Sequence, residues 1–320
     1  MHVGEKRNIR LEIARFFYKS AARLSIEMPK WFNRIAMSPD PFDIALCSIY
    51  NHTQYAHPDI VFHDGRFLLA ATPYPFGIDL YENPEVFESI DGKAWSLAFS
   101  VHLAVREKRY QHLSDPDLFF YNNIPYLIYR KCKRSGPNAY DELYLQKITL
   151  GVPSPRLLLI DTKGSLLSPS AVVLMDCILL FAVSNMTGKA GILKRYIIDM
   201  DFQVQGCVDV TIEAANVWHI DIIPWEGRLV GVFLLTDPAN ALITSLTCYF
   251  SDDLGLSWRF KGEIPVPLSD CRRVYRSSLL AHGSDGTLYV SYEKNNETWH
   301  MQSFEVQLGD DGISFPIIDL

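Results

Sequence analysis

From about residue 41 onward the chain alternates short runs of Val, Ile, Leu, Phe and Tyr with Gly, Asn, Asp and Pro, the pattern of strands joined by tight turns. Before that point the period changes. Ile9, Ile13, Phe16, Phe17, Ala21, Leu24 and Met28 recur at helical spacing, with Arg15, Lys19 and Arg23 at i, i+4 steps on another face. The spacing predicts an amphipathic helix over 7–28, ended by Pro29, and one further short turn around Trp31, Phe32 and Ile35. Two roles stay open for this helix: packing across the side or base of the strand region, or docking on a membrane surface or partner, for which Glu5, Glu12 and Glu27 dilute the basic face.

The strand region is an internal repeat. Tyr55-Ala-His-Pro-Asp-Ile-Val-Phe62, Leu113-Ser-Asp-Pro-Asp-Leu-Phe-Phe120, Leu166-Leu-Ser-Pro-Ser-Ala-Val-Val173, Val217-Trp-His-Ile-Asp-Ile-Ile-Pro224 and Val274-Tyr-Arg-Ser-Ser-Leu-Leu-Ala281 lie over one another. The third residues are polar (His57, Asp115, Ser168, His219, Arg276), and those two further on are small or acidic (Asp59, Asp117, Ser170, Asp221, Ser278). Steps of 58, 53, 51 and 57 residues between the third positions are too long for ankyrin or tetratricopeptide units and slightly longer than typical propeller blades. Each segment is followed by a second apolar run, as at Phe67–Ala71 and Tyr126–Tyr129, and four by a third, as at Leu143–Gln146 and Ser245–Phe250. The reading is all-β: a five-bladed β-propeller over 41–320 with an N-terminal helical extension over 1–40.

A second motif keeps the register. Ser89-Ile-Asp-Gly-Lys-Ala-Trp95 begins 32 residues after His57, and Ser251-Asp-Asp-Leu-Gly-Leu-Ser-Trp258 begins 32 after His219; Asp311-Gly312 with Phe315 is a weaker copy. Such a segment suits a hairpin between outer strands, in which Asp91 or Asp253 accepts backbone amides and Gly92 or Gly255 takes positive φ. Trp95 and Trp258 are then expected between blades. The Ser251-Asp253-Gly255-Trp258 spacing resembles the Asp-box of sialidases, a structural turn, so it receives no catalytic role.

Composition narrows the function. Thirty basic and 37 acidic residues leave a net charge of −7, which opposes a nucleic-acid partner and suits a neutral or sugar-like ligand. The apolar runs are too short to span a bilayer, and no signal peptide is visible, so a cytoplasmic location, or association with a phage particle, is expected. Six scattered cysteines without metal-finger spacing read as free thiols.

In a propeller the first strand of each blade lines the axis, so His57, Asp115, Ser168, His219 and Arg276 should form a ring there, with the residues two further on sharing the strand face. In either row an Asp at the start of an inner strand has an alternative use, tying off neighbouring backbone amides. With five blades, Asp-Pro at the start of an inner strand and Ser-x-Asp-Gly-x-x-Trp turns, residues 41–320 resemble family 43 of the glycoside hydrolases and its relatives among invertases, levansucrases and mannoside phosphorylases. The resemblance implies that Asp115, before Pro116, is the blade-two carboxylate that orients substrate and sets pKa values. It also marks two departures: His57 stands where the family's base would be, and Leu167-Ser168-Pro169 offers no Glu for the acid.

Three readings follow. A glycoside hydrolase with a shifted carboxylate set would use Asp115 as orienting group and Asp59 or Asp221 as base. Its substrate-binding groups would be His57, His219, Arg276, Asp117, Ser168 and Glu82, with Trp218 and Tyr275, together with Tyr55 and Tyr74, stacking on sugar rings. Glu82 or Glu85, in the loop over the pocket mouth, could also replace a missing carboxyl, and His57 or His219 could serve as acid or base near neutral pH. A binding protein would keep the pocket for an oligosaccharide or polysaccharide without cleavage. A phosphorylase, or an enzyme for anionic sugars, would hold phosphate or carboxylate with Arg276 and the two His. No cofactor is expected, and a metal at His57, His219, Asp59 and Asp221 lacks a recognised spacing.

Overall fold

The computed structural model describes residues 9–24, 54–101, 111–133, 140–149, 154–161, 164–184, 191–210, 212, 216–237, 239–240, 242–295 and 297–316. Within them each repeat folds as one four-stranded antiparallel meander. Blade one holds β1 (Tyr55–His63), β2 (Arg66–Pro73), β3 (Glu85–Ser89) and β4 (Ser96–Ser100). Blade two holds β5 (Gln111–Tyr121), β6 (Ile124–Lys133), β7 (Tyr140–Lys147) and β8 (Arg156–Asp161). Blade three holds β9 (Leu166–Val173), β10 (Ile178–Ser184), β11 (Ile192–Ile198) and β12 (Val204–Val210). Blade four holds β13 (Val217–Trp225), β14 (Arg228–Thr236), β15 (Thr244–Ser251) and β16 (Arg259–Glu263). Blade five holds β17 (Cys271–His282), β18 (Asp285–Lys294), β19 (Trp299–Gly309) and β20 (Gly312–Ser314). The five-bladed propeller is therefore the fold.

Every inner strand carries a β-bulge at its entrance, with register breaks at Ala56/Asp59, Ser114/Asp117, Leu167/Ser170, Val217/His219 and Val274/Ser277. In the first three blades the extra residue has positive φ, +54° at His57, +50° at Asp115 and +50° at Ser168, and a proline follows it. Proline has no N–H for the ladder, so the strand can afford a break there, and the bulge re-aims the preceding side chain toward the axis.

The residues two positions on build the wheel. Asp59 accepts the Leu118 N–H of blade two (2.5 Å), Asp117 that of Ala171 in blade three (3.0 Å) and Ser170 that of Ile222 in blade four (2.9 Å). Asp221 accepts the Leu279 N–H of blade five (2.7 Å), and Ser278 closes the circle on Ile60 N–H of blade one (3.1 Å). Each second-row side chain thus satisfies an inner-strand amide of the next blade. Among the described residues the first blade consists of strands β1–β4 and the last of β17–β20, so neither terminal blade borrows a strand, and Ser278 supplies part of the closure. Gln54 adds to it by accepting N–H bonds from Phe76 (2.8 Å) and Trp299 (2.9 Å).

Both Ser-x-Asp turns are hairpins between third and fourth strands. Asp91 accepts from Lys93 and Ala94 N–H (both 2.8 Å) and Asp253 from Leu256 and Ser257 N–H (3.0 and 2.9 Å), while Gly92 and Gly255 take φ of +69° and +85°. Trp258 packs edge-on to Phe181 of blade three and Phe233 of blade four, and Trp95 shares a core with Tyr289 and Met301 of blade five.

The N-terminal helix α1 (Ile9–Leu24) rests Ala14 and Tyr18 on Phe76, with Leu11, Ile78 and Tyr81 beside them. The rest of the predicted 7–28 helix, the turn at 31–35 and the boundary at residues 40 and 41 lie outside the described residues. Cys132, Cys177, Cys207, Cys248 and Cys271 are free thiols, and Cys47 lies outside the described residues.

Candidate active site

At the hub the bulges bring His57, Asp115, His219 and Arg276 together, all essentially without solvent exposure. Asp115 is the centre. Its Oδ1 lies 3.3 Å from His57 Nε2, 3.9 Å from His219 Nδ1 and 3.9 Å from Arg276 Nη1, and its Oδ2 lies 3.2 Å from Arg130 Nε and accepts the Ser168 N–H at 3.3 Å. Burial alone would raise this carboxyl, but Arg130, His57, His219 and Arg276 outweigh it and hold Asp115 far below the usual carboxylate range.

The histidines go the other way. Burial takes His57 down to about 4 and His219 well below its ordinary value, with Asp115 opposing in both cases. At neutral pH both rings are uncharged. The Thr72 hydroxyl donates to Ala56 O (3.3 Å) and therefore accepts at His57 Nδ1 (2.7 Å), which places the ring proton on Nδ1. His57 Nε2 then turns a lone pair toward Asp115 Oδ1. Asp115 Oδ1 and both ring nitrogens of His219 are buried with no hydrogen-bond partner among the described residues. Donor atoms of His57, Asp115 and His219 lie within 4.8 Å of one another. Neutral His219 offers one N–H and one lone pair, so acceptors at His57 Nε2, Asp115 Oδ1 and one His219 nitrogen lie beside buried N–H groups of Arg276 and Arg130 that also lack a hydrogen bond among the described residues. A water or a sugar hydroxyl, which both donates and accepts, suits the cluster, and two His and one carboxylate are also a ligand set for a divalent cation.

Glu82 enters from the loop after β2. It is buried, with Oε1 3.9 Å from His57 Nδ1 and Oε2 3.5 Å from His112 Nε2. Burial first, then the charges of Asp79 and Asp115, push its carboxyl well above the ordinary value against Arg130 and Ser114. One constellation therefore lowers one carboxyl and raises another.

Aromatic rings wall the site. Tyr275 lies 5.0 Å from the His57 ring and 4.6 Å from that of His219, Trp218 stacks on His219 (5.6 Å), and Tyr74 lies parallel to Tyr275 at 6.1 Å. Trp299 meets both tyrosines edge-on at 4.8 Å, beneath the Arg273 guanidinium at 5.2 Å. Tyr55 instead turns into the core, its hydroxyl donating to Glu85 (2.8 Å).

One step along the strands, Asp59, Asp117 and Asp221 bring carboxylate oxygens within 4.8 Å of one another. Burial raises all three, Asp59 to about 7 and Asp221 to about 6, with Arg276 opposing each. Arg276 bonds Pro169 O through Nη2 (3.3 Å), and its charge acts on both layers. Ser168 differs from the expectation of a ligand-facing hydroxyl: its Oγ donates to Ile220 O (3.1 Å) and accepts Ile220 N–H (3.0 Å), which occupies it within the wheel.

Thr72, His112, Arg130 and Trp299 were not expected here. Arg130 and Thr72 sit on second strands, opposite Ser114 and Ala56, and His112 just before the second repeat segment. Reading across the hairpins from Asp115 and His57 is the signal that would have found the first two.

The fold and this hub define a five-bladed propeller with a charged axial site. No family model matches the chain, and no curated protein matches it. Solved structures do. An N-acetylgalactosamine deacetylase from F. plautii, in complex with blood group B trisaccharide, is 19% identical at a TM-score of 0.63, covering 79% of this chain and 89% of its own. A thermostable family-43 glycoside hydrolase is 15% identical at 0.61, over 82% and 92%. An alpha-L-arabinanase of Cellvibrio cellulosa complexed with arabinohexaose is 13% identical at 0.59, over 82% and 94%. At these identities the likeness establishes the five-bladed fold.

Proposed function

We propose that the axial site hydrolyses a carbohydrate, with a glycosidic bond as the bond cleaved. The observation that carries this reading is the opposed surroundings of two buried carboxyls on either side of His57: Asp115, 3.3 Å from Nε2, lies among Arg130, Arg276 and the two His, which lower its carboxyl, and Glu82, 3.9 Å from Nδ1, lies where burial raises its own. Environments that push two carboxyls apart in this way set up acid and base roles. Cleavage needs a proton for the leaving oxygen and an acceptor for the attacking water. Glu82 is the donor. His57 Nε2 accepts the water's proton, Thr72 holds the ring through Nδ1, and Asp115 stabilises the imidazolium that forms. His219 and Arg276 bind substrate hydroxyls, and Tyr74, Trp218 and Tyr275 offer ring faces to the sugar. Asp59 and Asp221 stay out of the proton transfers, because their oxygens already hold Leu118 and Leu279.

A second reading is removal of an acyl group from a sugar. The acceptor cluster of His57, Asp115 and His219 favours it, since a divalent cation held there would polarise a carbonyl.

One experiment separates the readings: the full chain and Glu82→Gln are incubated with a broad glycan panel, with and without a chelator, and reducing ends and acetate are both measured. The first reading expects new reducing ends, insensitive to chelation and reduced in Glu82→Gln. Acetate release abolished by chelation selects the second. Release that requires phosphate selects a phosphorylase, and binding without any product overturns hydrolysis.

A further inference from the structure

Helix α1 is apolar on two opposite sides, and among the described residues only one of them packs on the propeller. At 100° per residue, Leu11, Ala14, Tyr18, Ala21 and Ala22 fall on one side. Ala14 and Tyr18 are buried against Phe76, with ring centroids of Tyr18 at 5.6 Å from Phe76 and 5.3 Å from Tyr81, and the Tyr81 hydroxyl bonds Tyr18 O at 3.0 Å. The helix is therefore fixed to the loop after β2. On the far side Ile9, Ile13, Phe16 and Leu24 form a ridge whose members are 47–68% exposed. A helix held by one face needs no large apolar residues on the other.

The charge beside the ridge identifies what it meets. The helix carries Arg10, Arg15, Lys19 and Arg23 against Glu12, a local excess of positive charge in a chain of net charge −7. Lys19 and Arg23 are exposed, one turn apart, along the flank of the ridge, while Arg15 pairs with Glu297 of blade five. An apolar ridge with a cationic margin is the surface a helix presents when it lies in the plane of an anionic bilayer, acyl chains meeting the ridge and headgroups the cations. Its 16 residues are too few to cross, and none of the described helices is long and apolar enough to span a membrane.

We infer that α1 docks the propeller on an anionic lipid surface through Ile9, Ile13, Phe16 and Leu24, with Lys19 and Arg23 at the headgroups. The loop on which α1 sits runs directly into Tyr74 and Glu82, so docking places the membrane beside the segment that furnishes the axial site. The inference is independent of the chemistry proposed for that site.

The test is flotation of the full chain with vesicles of phosphatidylcholine, and of phosphatidylcholine with phosphatidylserine, for wild type, Ile13→Ser with Phe16→Ser, and Lys19→Glu with Arg23→Glu. All substituted positions are exposed, and unchanged circular dichroism and melting would show that the variants fold. Wild type should float with the anionic vesicles. Loss of two cations alone corresponds to about thirtyfold weaker binding, and reversal to more; the serine pair should bring flotation to background. Absence of wild-type flotation with anionic vesicles, or flotation indifferent to both variants, overturns the inference. A wild-type dimer that the serine pair converts to monomer, without vesicle binding, overturns it in favour of a second copy covering the ridge.

Discussion

Ser170→Ala tests how the wheel is held together. The Ser170 hydroxyl accepts the Ile222 N–H at 2.9 Å and donates to Ile222 O at 3.3 Å, across the join between blades three and four and away from solvent. Alanine leaves a buried donor and a buried acceptor without that partner, at about 1–3 kcal/mol each, so the expected loss is roughly 2–5 kcal/mol. For a chain of this size that lowers the melting midpoint by about 3–7 °C. The companion is Asp221→Asn. Its amide oxygen can still accept the Leu279 N–H, and burial, which lifts the Asp221 carboxyl to about 6, disfavours the charge that the substitution removes. Asp221→Asn should therefore leave stability within about 1 kcal/mol of wild type and leave turnover intact. Urea unfolding of both variants, with turnover on any active glycan, reads out the pair. A Ser170→Ala loss below about 0.5 kcal/mol would refute the stapled ring, and an inactive but stable Asp221→Asn would restore Asp221 to the role of base.

Two further outcomes follow from the structure. Glu85 is buried against Tyr55 and its carboxyl is raised to about 7, mainly by burial; the folded state keeps a proton that the unfolded chain releases near 4.3, so stability should fall as pH climbs from about 4.5 to about 7, by on the order of 3 kcal/mol, then level off. Glu85→Gln should flatten that part of the slope, and identical pH profiles of urea midpoints would contradict it. Gly255 holds φ at +85° and an added Cβ would lie 2.4 Å from the Phe181 ring, so Gly255→Ala should destabilise by about 1–3 kcal/mol in the same assay; a neutral result would mean that the turn and Phe181 relax together.

The amino-acid pattern reveals the wheel because the repeat is carried by backbone requirements: a polar residue at the entrance of each inner strand and, in blades one and four, a Gly in the outer turn with a Trp after it. It reveals the hub for the same reason, since His57, Asp115, His219 and Arg276 occupy equivalent positions. The second row is ambiguous in sequence. An Asp that accepts a neighbouring amide and an Asp that activates water look alike, and only the bonds of Asp59, Asp117 and Asp221 to the next blade distinguish them. Arg130 and Thr72 escape a search of inner strands because they reach the axis from second strands. Tyr55 illustrates the converse: it opens the first repeat segment, yet strand alternation turns it into the core beside Glu85.

The central claim is that Asp115, pinned between His57, His219, Arg130 and Arg276, organises hydrolysis at the axis. Turnover by purified Asp115→Asn, compared with wild type on a glycan that wild type cleaves, tests it most directly. The variant keeps shape and hydrogen-bonding capacity but removes the charge to which the four cationic or imidazole groups respond, so kcat should fall by about a hundredfold or more. An unchanged kcat in a folded Asp115→Asn protein would contradict the account.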